Sequence, residues 1–281
     1  MADQRRARVQ EDVQDDRWAA GVLRPRPGGP AERFAARIGL RHPAAVFFAA
    51  LFSAFAVLVA ASIAVGFLAT HVLINVGGLG TTDESAIHEI VKERSSSLDT
   101  VSAIGSTVGG APVLPILVGL VAIVCAFKRK WRIAAFAVFV LSIESATYRV
   151  TSLVLPRQRP HVPRLEDLPA NASYPSGHTA ASIAVYAGLV FLLASGTGNR
   201  RVRAAAWVAA IALPVFVAMS RMYRGMHHPL DVAGGIFIGV GAMMVLLFAC
   251  RAAGAVVQSS ARESRTGPRQ APSRERVRTA S

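Results

Sequence analysis

Residues 43–70 carry no charged side chain, and that run constrains the chain more than any motif in it. About 20 apolar residues cross the hydrocarbon core of a bilayer, so this run has length to spare. Inside a bilayer each backbone amide must find its partner within its own segment, which makes the run a helix. Comparable runs recur at about 111–127, 133–155, 177–194, 204–219 and 230–250. Charged residues make up 17% of the chain, against about 25% in soluble domains. The expected fold is all-α: a bundle of six transmembrane helices over residues 43–250.

Residues 1–42 are polar and arginine-rich, broken by Pro25, Pro27, Gly28, Gly29 and Pro30. They read as a disordered cytoplasmic arm, and the first apolar run starts too late for a cleavable signal. Residues 251–281 read as a disordered basic tail. Between the first two spans, residues 71–107 are polar. There Thr81 and Glu84 have capping-box spacing, and Ile87, Ile90 and Val91 repeat at i, i+3, i+4. This predicts a short amphipathic helix at the membrane interface. The third span stops at Pro156, and a loop follows over 156–175.

The formal charge is +14, and it resides mostly in tails and short loops. That pattern suits an anionic membrane surface, and no nucleic-acid motif is present. Arginines and lysines such as Arg24, Arg41, Lys128, Arg129, Arg200 and Arg203 fall on one side of the six-span arrangement. The first loop on the other side holds Asp83, Glu84, Glu89, Glu93 and Asp99. By the positive-inside rule both termini are cytoplasmic. Arg157, Arg159, Arg164, Arg221 and Arg224 violate the rule, and they surround the chemistry described next. Cys125 and Cys250 lie in apolar runs, as lipid- or core-facing thiols.

Three short segments at membrane ends carry chemistry: Arg159-Pro160, Pro175-Ser176-Gly177-His178, and Ser220-Arg221 with His227 and Asp231. Arginine forks two phosphate oxygens, and histidine serves as nucleophile or proton donor near neutral pH. His227 and Asp231 are four apart, so a carboxylate can hold the imidazole N–H and leave the other nitrogen free to attack phosphorus. An interfacial salt bridge explains the same spacing. Ser176 is a natural N-cap, and the helix start behind it is an anion seat; a plain capped helix is the alternative. Arg159, Arg221 and Arg224 also suit lipid headgroups. His228 points away from Asp231 on helical spacing and reads as a surface residue. His42, His71, His88 and His161 read as interfacial or loop histidines, and Glu144 as the partner of a neighbouring helix. No set of metal ligands stands apart from these groups, so neither metal nor cofactor is expected.

Taken together the three segments resemble the type 2 phosphatidic acid phosphatase (PAP2) superfamily, shared with vanadium haloperoxidases. That signature is a lysine six residues before Arg-Pro, then Pro-Ser-Gly-His, then Ser-Arg, five residues, His, three residues, Asp. The second part is complete at 175–178 and the third at Ser220, Arg221, His227 and Asp231. The first is present at Arg159-Pro160, with Ser152 in place of the lysine. The resemblance covers about 85–250. It implies that His227 is the nucleophile forming a phosphohistidine, that Asp231 orients it, and that His178 protonates the leaving group. It also implies that Arg159, Arg221, Ser176 and Gly177 bind phosphate. Arg149, one turn before Ser152 on the same helical face, is expected to replace the lysine, with Arg157 as the other candidate. The implied activity is a metal-independent membrane lipid phosphatase facing out of the cytoplasm. Polyprenyl or undecaprenyl pyrophosphate is the expected substrate, with phosphatidate or phosphatidylglycerol phosphate as alternatives. A vanadium haloperoxidase-like enzyme and a non-catalytic lipid-phosphate binder are the rival classes.

Overall fold

A computed structural model describes residues 20–266 of the chain. Its elements in order are α1 (Ala20–Leu23), α2 (Pro30–Ile38), α3 (Pro43–Phe67), α4 (Leu79–Lys92), α5 (Ser96–Val108), α6 (Val113–Phe127), α7 (Trp131–Val154), α8 (Gly177–Ser182), α9 (Gly188–Gly196), α10 (Arg200–Tyr223) and α11 (Pro229–Thr266). A π turn, Ile183–Ala187, joins α8 to α9, and another, Leu68–Val72, extends α3. Among the described residues no named strand occurs, only an isolated bridge between Arg157 and Ala172.

Among the described residues four helices are long and apolar enough to cross a membrane: Pro43–Asn75, Trp131–Val154, Arg200–Tyr223 and Pro229–Arg262. A fifth span arises if α5 and α6, bent by 43° at the break between them, are taken as one. The segment expected as a sixth span holds a shorter apolar helix, Gly177–Leu192, interrupted by the π turn. The described residues thus form an all-helical, multi-pass membrane bundle, with spans less uniform than the six expected.

Proline opens the first and the last of the long helices, at Pro43 and Pro229. The first helical position tolerates a residue without an N–H. α11 runs through the middle, packed along α3 and against α7, α8 and α2. Val46, Leu51, Phe136, Val140 and Leu246 fill that junction and are nearly inaccessible. Many other apolar side chains, such as Phe127 at 86% exposure, point outward, as a lipid-facing surface requires.

Two expectations about the arms are corrected within the described residues. The Pro- and Gly-rich stretch before residue 43 includes helix α2. Pro30 opens it, Gly39 closes it in the left-handed region at φ 68°, and the Gly28 amide donates to Glu32. The punctuation is therefore capping. The tail expected from residue 251 begins instead as sixteen further residues of α11, to Thr266. That stretch is alanine-rich and has no proline, and Arg251 Nε donates to the Val22 carbonyl at 2.8 Å. Residues 1–19 and 267–281 of the expected arms lie outside the described residues.

The start of α8 is pressed onto α11 where α11 has glycine. A Cβ on Gly235 would lie 2.5 Å from the Ser176 carbonyl oxygen, and one on Gly239 would lie 2.6 Å from that of Ala180. Small residues at this spacing let two backbones approach closely. Gly235→Ala should force them apart and lower the melting temperature in detergent, at a cost of about 1–3 kcal/mol. Gly119→Ala, where a Cβ meets nothing within 4 Å, should leave it unchanged or raise it. A Gly235→Ala protein that melts with the wild type contradicts this packing.

Candidate active site

The loop after α7 folds back on itself before it reaches α8. The amides of Arg157 and Arg159 donate to the carbonyls of Asn171 and Ala170, and the Ser173 amide returns a bond to the Arg157 carbonyl. The Ser176 amide then donates to the Asp231 carbonyl at 2.9 Å. This brings the Arg159 segment, the start of α8 and the start of α11 to one end of the bundle. Arg221 arrives there from the last turn of α10.

His227 is buried, and its Nδ1 lies 2.7 Å from the carbonyl oxygen of Ser173. A carbonyl only accepts, so Nδ1 carries the proton and Nε2 keeps its lone pair. Burial above all, then the Arg221 charge, holds the imidazole well below the usual histidine range against the opposing pull of Asp231. His227 is thus a neutral base with a defined tautomer. Its Nδ1 is 3.9 Å from the Asp231 carboxylate, beyond a hydrogen bond. The direct His–Asp hold expected from their spacing is replaced by a relay: Ser173 donates its hydroxyl to Asp231 and offers its carbonyl to His227.

Asp231 is fully buried. Besides Ser173 it accepts from Arg157, from the His228 amide at 2.8 Å and from the His228 ring at 3.2 Å. Arg157 also donates to Asp83 at 2.6 Å. With both ends of its guanidinium committed to carboxylates, Arg157 is a poor phosphate ligand, contrary to its candidacy. His228 is buried rather than on the surface, and its other ring nitrogen meets Glu84 at 2.9 Å. Burial opposes a charge on His228, but Asp231 and Glu84 outweigh it and raise the imidazole above its ordinary value. Glu84 also accepts from the His161 amide. The expected capping box at Thr81 does not form: α4 begins two residues earlier, and the Thr81 hydroxyl donates to the Gly78 carbonyl.

Arg221 has no exposed surface. Its Nη1 donates to Ser106 and to Glu166 at 2.6 Å, while Nε and Nη2 are buried with no partner. Glu166 also takes Arg224 at 2.6 Å and the Ser106 hydroxyl at 2.7 Å. Burial would raise the Glu166 carboxyl, yet Arg221, Ser106 and Arg224 bring it down to about 2. Arg224 is therefore an internal ion-pair partner, where a headgroup contact had been the alternative reading. Arg159 is fixed by the carbonyls of Pro169 and Met226. Burial first, then the nearby Arg221 charge, depresses its guanidinium. Two buried cations crowded together, with two guanidinium nitrogens free to donate, make a seat for an anion.

His178 occupies the first turn of α8, behind Ser176 at the N-cap position. The Ser176 hydroxyl meets Thr179 Oγ1 at 2.9 Å and caps no amide. The amides of Gly177 and His178 belong to the turn whose donors have no intrahelical acceptor. His178 lines an open pocket together with Gly110, Glu144, Tyr148, Arg149 and Gly177. A Cβ on Gly110 would come within 2.7 Å of His178 Nε2, so glycine there keeps the ring's place open. Glu144, expected to pair with a neighbouring helix, instead takes the hydroxyl of Ser145, the next residue.

The structure thus gathers His227, Asp231, Arg159, Arg221, Ser176 and Gly177 at one end of the bundle, with His178 and Arg149 on the adjoining pocket. Sequence reasoning missed Ser173, Glu166, Ser106 and the clamping role of Asp83 and Glu84. Only the surplus of acids in the polar stretch before α5 hinted at the last two.

Residues 133–253 match the family model of the PAP2 superfamily, so the resemblance read from the motifs is borne out over the segment that holds the site. Over 123 residues the chain is 32% identical to an undecaprenyl-diphosphatase of Sulfolobus acidocaldarius, covering 42% of this chain and 55% of that protein. Over 126 residues it is 30% identical to a decaprenylphosphoryl-5-phosphoribose phosphatase of Mycobacterium tuberculosis, covering 42% and 60%. The chain therefore spans a little over half the length of these curated relatives. The fold is similar to the crystal structure of a transmembrane PAP2-type phosphatidylglycerolphosphate phosphatase from Bacillus subtilis. The TM-score is 0.56 at 22% identity, over 74% of this chain and 94% of that one.

Glu166 gives the site a pH signature of its own. Its carboxyl is depressed in the fold, so its stabilisation is complete above the ordinary value of 4.5 and is lost as pH falls toward about 2. Glu166→Gln should melt several degrees below wild type at pH 7 and show less loss of stability between those pH values. A variant whose pH–stability curve overlays the wild type removes this role.

Proposed function

We propose that this protein is a membrane lipid phosphatase that removes a terminal phosphate through a phosphohistidine on His227. The observation that carries the reading is the pair of unpartnered, buried nitrogens of Arg221, Nε and Nη2, beside a neutral His227 with its Nε2 lone pair available. Phosphate seated on Arg221, Arg159 and the first amides of α8 places phosphorus before that nitrogen. Nε2 attacks, the phosphorus–oxygen ester bond breaks, and the leaving oxygen takes a proton from His178. Water then attacks phosphorus and gives its proton to His178, and the phosphorus–nitrogen bond breaks, restoring His227 and releasing inorganic phosphate. Arginines and amides meet the developing charge, so metal independence is part of the proposal.

The substrate class follows from the membrane setting and from the printed activities of the relatives. Both curated relatives act on polyprenyl lipids, so a polyprenyl-linked phosphate or pyrophosphate is the leading substrate, with phosphatidylglycerol phosphate and phosphatidate behind it. Loop charge supports cytoplasmic termini and an outward-facing site, which suits recycling of an undecaprenyl pyrophosphate carrier.

Purified wild type should release phosphate from a lipid phosphate panel in EDTA, whereas His227→Ala should fold and release none. Release by the variant above a few per cent of wild type, or a strict need for added magnesium, sinks the mechanism.

Arg149, on the pocket beside His178, is proposed to stand in for the lysine absent at Ser152. Arg149→Ala should lower kcat by roughly 10²–10³ without changing the melting temperature, and Ser152→Lys should partly restore it. Arg157→Ala should mainly destabilise, by about 3–5 kcal/mol, because it leaves buried carboxylates unpaired. Full activity in a folded Arg149→Ala protein refutes the substitution argument.

A further inference from the structure

Glu144 is the buried ionisable group that the mechanism leaves unused. It lies ten residues before the end of α7, is 1% exposed, and receives one hydrogen bond, from Ser145 to Oε2 at 3.0 Å. Its Oε1 is buried and has no partner. The same side chain lines the open pocket beside His178, whose remaining wall is largely apolar and includes Leu114 and Leu141. An acceptor held in such a wall without a donor is costly, and ionisable groups within membrane helices generally serve a ligand or a proton.

The position of the pocket says which part of a substrate meets it. In the proposed reaction His178 hands its proton to the leaving oxygen, so the leaving group reaches past the phosphate at Gly177 and Arg149 into the space His178 shares with Glu144. A carboxyl oxygen without a partner calls for a hydrogen-bonding group on that part of the substrate. Arg149 on the same pocket disfavours a cationic amine, which leaves a neutral hydroxyl, able to donate or accept. We propose that this pocket is a leaving-group subsite in which Glu144 Oε1 hydrogen-bonds a hydroxyl of the lipid alcohol being released. The inference rests on the phosphatase reading and re-orders its substrates, moving undecaprenyl pyrophosphate from the head of the class to behind sugar- or polyol-linked lipid phosphates. Lipid phosphates with a polyol or sugar between lipid and terminal phosphate are preferred over those whose phosphate sits directly on a diacylglycerol or polyprenyl phosphate. Sites built to hydrogen-bond a hydroxyl discriminate strongly against analogues lacking it.

The test compares kcat/KM for three substrates in mixed micelles: phosphatidylglycerol phosphate, whose leaving group retains a hydroxyl, and phosphatidate and undecaprenyl pyrophosphate, whose leaving groups have none. Glu144→Leu should lower the rate constant for the first by roughly ten-fold and leave the other two within about two-fold. Glu144→Gln, which keeps an acceptor of the same shape, should stay close to wild type in the ratio of first to second. Each ratio is taken within one preparation, so loss of folded protein cancels. An equal fall on all three substrates, or an unchanged ratio in Glu144→Leu, overturns the subsite while leaving the phosphatase reading standing. A wild-type protein inert toward all three overturns the phosphatase reading, and the subsite with it.

Discussion

The fully buried carboxylate of Asp231 is the interaction on which the rest of the site depends. It gathers the Ser173 hydroxyl, the Arg157 guanidinium and both the amide and ring of His228. Those partners come from the loop after α7 and from the turn between α10 and α11. An unpaired charge in such a place costs several kcal/mol, so the segments are tied to one another by the need to keep it paired. Arg157 carries the tie onward to Asp83 on α4, and His228 does the same to Glu84. His227 receives its tautomer from the end of this chain of contacts, through the Ser173 carbonyl.

A second centre balances the first with opposite sign. Glu166 stands between Arg221, Arg224 and the Ser106 hydroxyl. It neutralises one edge of Arg221 and leaves the other edge bare. That division gives the site both stability and use: a guanidinium with all five donors satisfied grips nothing, and one with none satisfied is not tolerated inside a membrane protein. Internal pairing also accounts for four of the five arginines that break the loop-charge rule. Arg157, Arg221 and Arg224 are matched by Asp83, Asp231 and Glu166, and Arg159 is fixed by carbonyls.

The groups proposed to react were legible in the sequence because such chemistry fixes residue types at short spacings: Ser176 to His178, and Arg221 to Asp231. Their supports were not, because those contacts join positions far apart in the chain. Glu166 meets Arg221 across 55 residues, and Arg157 meets Asp83 across 74. A lone carboxylate in a polar loop carries no period that announces such a partner. Helical spacing also misled locally. His227 and Asp231 have the separation of facing residues, but His227 precedes the Pro229 that opens α11, so the rule was applied across a turn. The spans were read from apolarity, which is blind to a π turn at Ile183–Ala187 and to the bend between α5 and α6.

α11 bears Asp231 in its first turn and continues for 38 residues, a length of about 57 Å at 1.5 Å per residue. That is nearly twice the ~30 Å hydrocarbon thickness of a bilayer. A rod of this length magnifies angular play. A rocking of about 5° about its far end displaces its near end by about 5 Å over that length, which is more than any hydrogen bond survives. The accuracy of the site is therefore secured well away from it. The long seam with α3 and the bond from Arg251 to the Val22 carbonyl act as bearings that hold the shaft true.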